Sequence, residues 1–166
     1  MNKILVTYAT RAGSTIEVAA HVGEVLSETG AIVEVRPIKD VREVKSYDVV
    51  VVGSAIRMGH WLPEAVAFVK ANRDTLSHIP TAYFLVSGLL REDTPEMRKI
   101  VLAYLDPVRA ILEPTSIGLF AGKMDYSKLS WLDRIIAKKV MSEGDGRNWD
   151  AIQGWARELL ATALHV

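Results

Sequence analysis

Short apolar runs rich in β-branched residues alternate along the chain with longer segments whose apolar positions recur at helical spacing. Ile4-Leu5-Val6-Thr7-Tyr8 reads as a first strand, and Val18, Val22, Val25 and Leu26 follow at helical intervals. Gly30 stands where the glycine that ends a helix is expected. Ile32 to Val35 reads as a second strand, shorter and more alternating, as suits a sheet edge. Val49 to Val52 is apolar without alternation, the pattern of a strand covered on both faces of a parallel sheet. Pro63 suits the first turn of a helix that carries Ala65 to Val69. Ala82 to Val86 predicts a fourth strand and Thr115 to Phe120 a fifth. Between them Pro95 to Tyr104 is helical, with Pro107 interrupting or kinking it near its end. The last helix runs from about Trp149 to Leu164, with Ile152, Trp155, Ala156 and Leu159 on one stripe. Strands alternating with helices predict an α/β, doubly wound, five-stranded parallel sheet.

One connection breaks this rhythm. From Gly122 to Trp149 the chain runs far beyond the about 2–6 residues usual between a strand and a helix, so an insertion is expected at about 123–146. Otherwise the 166 residues suit one domain, without repeat, linker or low-complexity tract. Lys+Arg and Asp+Glu both number 20, and this balance offers no electrostatic basis for binding nucleic acid. The absence of cysteine excludes disulfides, thiolate catalysis and cysteine-ligated metals. The segment Met1 to Val6 is too short for a signal peptide and no stretch is long enough to span a bilayer, so a cytoplasmic protein is expected.

Candidate chemistry gathers where strands end. Thr10-Arg11-Ala12-Gly13-Ser14-Thr15 follows the first strand and opens the first helix. Backbone N–H groups and the helix N-terminus there favour an anion, three hydroxyls add donors, and Gly13 permits an unusual φ. The loop lacks the Gly-Lys-Ser/Thr of a Walker loop and the three glycines of a dinucleotide turn. An ordinary strand-to-helix turn with a hydroxyl cap fits the same residue types. The order of elements adds weight to the phosphate reading, because a doubly wound sheet binds ligands at the carboxyl ends of its first and third strands. The third strand leads into Gly53-Ser54-Ala55-Ile56-Arg57-Met58-Gly59-His60-Trp61, a glycine-punctuated loop carrying an aromatic. The fourth leads into Ser87-Gly88-Leu89-Leu90-Arg91. Three such loops at one edge suit a mononucleotide with a flat ring.

Ile4 to Thr15 resembles the flavodoxin phosphate loop, whose pattern is Thr/Ser-x-Thr-Gly-x-Thr. The resemblance covers the whole chain and is closest to the flavodoxin-domain branch that includes menaquinone-dependent protoporphyrinogen oxidase. The residues carrying that narrower likeness are Gly53 to His60, Ala121-Gly122 with Tyr126, and Ser130-Trp131-Leu132-Asp133-Arg134 followed by an apolar-basic helix. The resemblance implies a flavodoxin-like sheet of order 2-1-3-4-5 and non-covalent FMN, with its phosphate on Thr10, Arg11, Ala12, Gly13, Ser14 and Thr15. The ring is expected between Ser54, Ala55, Ile56, Arg57, Met58, Gly59 and His60 on one side and Ser87, Gly88, Leu89, Leu90 and Arg91 on the other. Met58-Gly59 is the expected backbone group near flavin N5 that changes partner with redox state. Arg57 and Arg91 would balance charge on the reduced ring. Two departures stand out: flavodoxin carriers are usually strongly acidic, and their second ring loop commonly supplies an aromatic, which Ser87 to Arg91 lacks.

Within the insertion, Leu132, Ile135, Ile136 and Val140 share a helical face while Arg134, Lys138 and Lys139 lie off it. Such a basic amphipathic helix either packs on its own domain or lies on an anionic membrane surface or partner. Tyr126 and Trp131 wall the site or anchor the insertion. His60 is a candidate for contact with flavin or substrate, whereas His21, His78 and His165 have no partner at metal-ligand spacing. No side chain is assigned as catalytic. Two redox readings result. One is an FMN oxidoreductase passing electrons from a reduced substrate, a tetrapyrrole by resemblance, to a quinone or other acceptor. The other is an electron carrier between redox proteins. A third is a phosphate-ligand domain without redox chemistry.

Overall fold

The computed structural model describes residues 2–10, 13–124, 144–145 and 148–163. Its centre is a parallel sheet of β1 (Lys3–Ala9), β2 (Ile32–Pro37), β3 (Val49–Arg57), β5 (Thr81–Ser87) and β6 (Ser116–Ala121). A two-residue strand, β4 (His60–Trp61), pairs antiparallel with the end of β3. The spatial order is β2-β1-β3-β5-β6, so the five parallel strands lie as expected. Counting β4 makes the order 2-1-3-5-6 rather than 2-1-3-4-5. Two further short strands, β7 (Lys123–Met124) and β8 (Gly144–Asp145), pair with each other apart from this sheet.

The unbroken apolar runs of the inner strands follow from burial on both faces. Ile4 and Val6, Val49 and Val51, and Ala82 and Phe84 enter one core layer with Val18, Val22 and Leu26 of α1 (Ser14–Ser27). The same layer takes Ile152, Ala156 and Leu159 of the last helix, α6 (Trp149–Ala163). Leu5, Val50, Val52, Tyr83 and Leu85 enter the other layer, against α2 (Pro63–Ala71), α3 (Arg73–Leu76), α4 (Pro95–Ala103) and α5 (Asp106–Ile111). Each such side chain contributes roughly 1.5–3 kcal/mol when fully buried. The alternation of facing directions therefore holds the helix layers on opposite sides.

Two expectations are refined in detail. The third strand does not stop at Val52: it continues to Arg57 and folds back through β4. Glycine at 53 allows this, because a methyl there would lie 1.9 Å from Phe84 Cζ, whose ring crosses the strand. Of the two outcomes expected at Pro107, the structure shows interruption rather than a kink. The proline lies in the first turn of a separate helix, α5, after α4 has ended. Gly30, at φ 86°, follows the end of α1 as foreseen. The helix expected through Leu132 and Val140, together with Tyr126, Trp131 and His165, falls outside the described residues.

The exposed edge, β2, is tied down at Glu34. Its carboxylate accepts from the Tyr47 hydroxyl, lies 3.3 Å from Arg36 Nε and 3.7 Å from Lys3 Nζ. The Tyr47 hydrogen bond holds the Glu34 carboxyl below its usual range, and burial with that same bond pushes the Tyr47 phenol up to about 12. A lowered carboxyl contributes stability that is present above its ordinary value of 4.5 and lost as pH falls through the folded value. Denaturant melts from pH 7 to pH 3 should therefore show a shallower acid-side loss for Glu34→Gln than for the parent, with lower stability at pH 7. An unchanged acid limb would show that Glu34 carries none of this dependence.

Candidate functional site

Parallel register brings the strand ends to one edge. Ala9 of β1 pairs with Ser54 of β3, Ser54 with Leu85 of β5, and Ser87 with Ala121 of β6. The loop at 10–15, the β3–β4 hairpin, the turn after β5 and Gly122 thus all leave the sheet on the same side. The chain winds outward in opposite directions from β1 and β3, so helices do not close the crevice between them.

At the first loop Gly13 is the cap residue of α1, with φ 89° and ψ −16°. Only glycine takes this left-handed conformation at low cost, and it leaves α1 without a side-chain cap. The Gly13 N–H donates to Thr10 Oγ1 at 3.1 Å, which folds the loop back on its own start. Ser14 is half-buried at the first helical position. Thr15 is fully buried, and among the described residues its hydroxyl has no hydrogen-bond partner. A buried hydroxyl left unpaired costs about 1–3 kcal/mol. Thr7 Oγ1, His21 Nε2 and Trp61 Nε1 are likewise buried without partners among the described residues. Thr15 differs from them by standing in the first turn of a helix at the ligand edge, where donors and the helix dipole favour an anion. Arg11 and Ala12 lie outside the described residues.

The second element is a tight hairpin. Ile56 pairs with Trp61 and Arg57 with His60, leaving Met58-Gly59 as a two-residue turn. Both turn residues have positive φ, 54° and 77°, as a type I′ hairpin requires. Met58 is the sole non-glycine residue with positive φ among the described residues, and it is exposed at 74%. Beneath the turn lies Tyr104, which follows α4: a methyl on Gly59 would sit 3.5 Å from its Cε1. Arg57 and His60 are exposed. Ser54, in contrast, is fully buried and occupied by the fold, since its hydroxyl accepts from the Leu62 N–H at 3.0 Å and donates to the Ala55 carbonyl at 2.8 Å. The aromatic of this loop also turns inward. Trp61 is 3% exposed and meets Tyr83 edge-on at 5.0 Å, so it is a core residue rather than a wall of the crevice.

The third element begins with Ser87, whose hydroxyl accepts from the Leu89 N–H at 3.2 Å and starts a short 3-10 turn, Gly88–Arg91. Leu90 is buried in the core with Leu85 and Val101, while Arg91 is exposed and Gly88 and Leu89 are half-buried. The Ser87 carbonyl accepts from the Gly122 N–H at 3.3 Å, joining this turn to the end of β6.

The structure thus assembles Thr10, Gly13, Ser14, Thr15, Ala55, Ile56, Arg57, Met58, Gly59, His60, Gly88, Leu89 and Arg91 about one edge. It turns Ser54, Ser87 and Leu90 into the fold that supports them. Tyr104 and Gly122 were not foreseen as parts of this edge. Tyr104 reads as the end of a helix, and only its approach to Gly59 in the fold reveals its position.

Among known proteins, the family model described as Flavodoxin domain matches residues 5–149, and the chain belongs to that family. It is 27% identical to the Protoporphyrinogen IX dehydrogenase [quinone] of Escherichia coli (strain K12), over 95% of this chain and 94% of that protein. It is 26% identical to the protein of the same name from Leishmania major, over 99% of this chain and 77% of that one. Solved structures share the fold. A short-chain flavodoxin associated with a non-canonical PDU bacterial microcompartment superposes with a TM-score of 0.65 at 17% identity, covering 98% of this chain and 99% of that one. Oxidised Flavodoxin 1 from Bacillus cereus gives 0.61 at 15% identity, covering 96% and 98%. Among the described residues no helix is long and apolar enough to cross a membrane.

The hairpin turn offers a direct check of its geometry. Asparagine tolerates positive φ better than methionine and is favoured before glycine in type I′ turns. Met58→Asn should raise stability by about 0.5–1 kcal/mol, read from denaturant midpoints. A loss of stability would contradict the strained turn.

Proposed function

We propose that the chain binds FMN at this edge and works as an oxidoreductase, taking electrons from a reduced substrate and passing them to a quinone or another acceptor. The observation that carries the reading is the buried, unpartnered Thr15 hydroxyl at the uncapped start of α1, beside left-handed Gly13. A phosphate supplies the missing acceptor and meets the helix N-terminus at once. Thr10, Ser14 and the backbone of residues 11–13 complete the cradle. Ala12 stands where the flavodoxin pattern has a hydroxyl, so the remaining hydroxyls and N–H groups carry the phosphate.

FMN, when bound, supplies a two-electron acceptor at its N5. The chain's part is to orient it. The Met58-Gly59 turn and the Gly88–Arg91 turn flank the space for the ring, and the Met58-Gly59 peptide is the candidate hydrogen-bonding group near N5. Arg57 and Arg91 stand on those two flanks as exposed cations that offset negative charge on a reduced ring. A tetrapyrrole substrate and a quinone acceptor follow from the names of the relatives aligned over nearly the whole chain. The zero net charge favours this reading over a flavodoxin carrier, which gains its encounter rate from a strongly charged surface.

Incubated with FMN and freed of excess, the protein should show the flavin absorbance bands. It should then turn over protoporphyrinogen with menaquinone under anaerobic conditions. A protein that stays colourless sinks the reading. Flavin binding without tetrapyrrole turnover, with rapid exchange with a reductase protein, would show a carrier instead. Thr15→Val separates the hydroxyl's binding role from folding. The flavin-free variant should be as stable as the parent or more so, while FMN affinity falls roughly tenfold or more.

A further inference from the structure

We infer that Gly122 is a positioning residue for the phosphate end of the site: the space it leaves sets how closely the end of β6 approaches Ser14. The inference rests on the reading of residues 10–15 as a phosphate loop. Gly122 is buried and is absent from the positive-φ glycines, Gly13, Gly30 and Gly59, so backbone conformation alone does not demand glycine there. Space does. A methyl at this position would lie 2.8 Å from Val86 Cγ1 and 3.4 Å from Ser14 Oγ.

The nearer neighbour does not yield easily. Val86 is 4% exposed and packed with Phe84, Phe120 and Val6 in the core layer beneath α1. Rotating it would displace that layer, which is costly at an overpacked core position. Gly122 is also tethered on its other side, its N–H donating to the Ser87 carbonyl at 3.3 Å. An added methyl thus cannot be taken up by Val86, and the other side chain it meets is Ser14, at 3.4 Å. Ser14 is the first residue of α1 and precedes the unpartnered Thr15 hydroxyl, so a displacement there reaches the phosphate donors directly. Other crowded glycines do not share this role. Gly53 and Gly118 meet aromatic core rings, and Gly23 meets Val35 and Val33 of the edge strand.

The test is selectivity between FMN and riboflavin, which differ by the phosphate alone, measured by flavin fluorescence on the full chain. The parent should prefer FMN. Gly122→Ala should lose about tenfold in FMN affinity, the scale of one charge-assisted hydrogen bond, with riboflavin affinity within about twofold of the parent. Ser14→Ala should lose FMN affinity similarly, and the double variant should lose no more than the larger single loss, since both act on one contact. Val86→Ala, by making room for the methyl, should restore FMN affinity in the Gly122→Ala background. If Gly122→Ala does not fold alone, Val86→Ala/Gly122→Ala compared with Val86→Ala serves in its place, with matching FMN affinities expected. Equal losses for FMN and riboflavin, unchanged selectivity, or an FMN loss that persists when Val86→Ala is added would each overturn the inference. A parent that binds FMN no better than riboflavin would instead overturn the phosphate-loop reading itself.

Discussion

Parallel, in-register pairing of β1, β3 and β5 is the constraint from which the site follows, because it delivers the carboxyl ends of all three strands to one edge. The pairing is enforced by burial on both faces. Alternate residues such as Val51 and Val52 enter different core layers, so a one-residue slip would drive the side chains of each layer into the other. With register held, Ala9, Ser54 and Leu85 form one row, and the loops beyond them are neighbours whatever their sequences. The reversal of winding between β1 and β3 then keeps that place open.

Within this frame the site divides into residues that support and residues that present. Ser54 commits its hydroxyl to Leu62 and Ala55, Ser87 commits its own to Leu89, and Trp61 is folded against Tyr83. Among the described residues the Thr15 hydroxyl has no partner, although it is as deeply buried as any core residue. The fold thereby carries an unpaired donor, among the described residues, at the start of α1 beside the ligand edge. Pairing with phosphate oxygens would remove that cost on binding. The hairpin adds a second unfavourable element, a left-handed Met58 in an exposed turn backed by Tyr104. Strain of this type persists where surrounding structure over-determines it, and here the two pairs Ile56–Trp61 and Arg57–His60 do so.

The sheet was legible because strands buried on both faces read as unbroken apolar runs, and Ile4–Tyr8, Val49–Val52 and Ala82–Val86 are such runs. The strand-to-helix loop at 10–15 was legible as a candidate phosphate site from its residue types and setting. Side-chain direction was not. Whether Ser54 or Trp61 faces the crevice depends on β3 continuing past Gly53, and that depends on Phe84 lying across a residue with no side chain. The hairpin went unseen because Met-Gly lacks the Asn-Gly or Asp-Gly signal that marks a type I′ turn. Tyr104 reaches the edge through a contact with Gly59, a residue distant in sequence, which no local pattern encodes. The insertion near Trp131, central to the membrane question, falls outside the described residues.

A crystal structure of the protein with FMN would test the central claim most directly. Thr15 Oγ1 should then lie within about 2.5–3.0 Å of a phosphate oxygen, the range of a charge-assisted O–H···O bond. A phosphate seated elsewhere, with the Thr15 hydroxyl still unpaired, would contradict that claim.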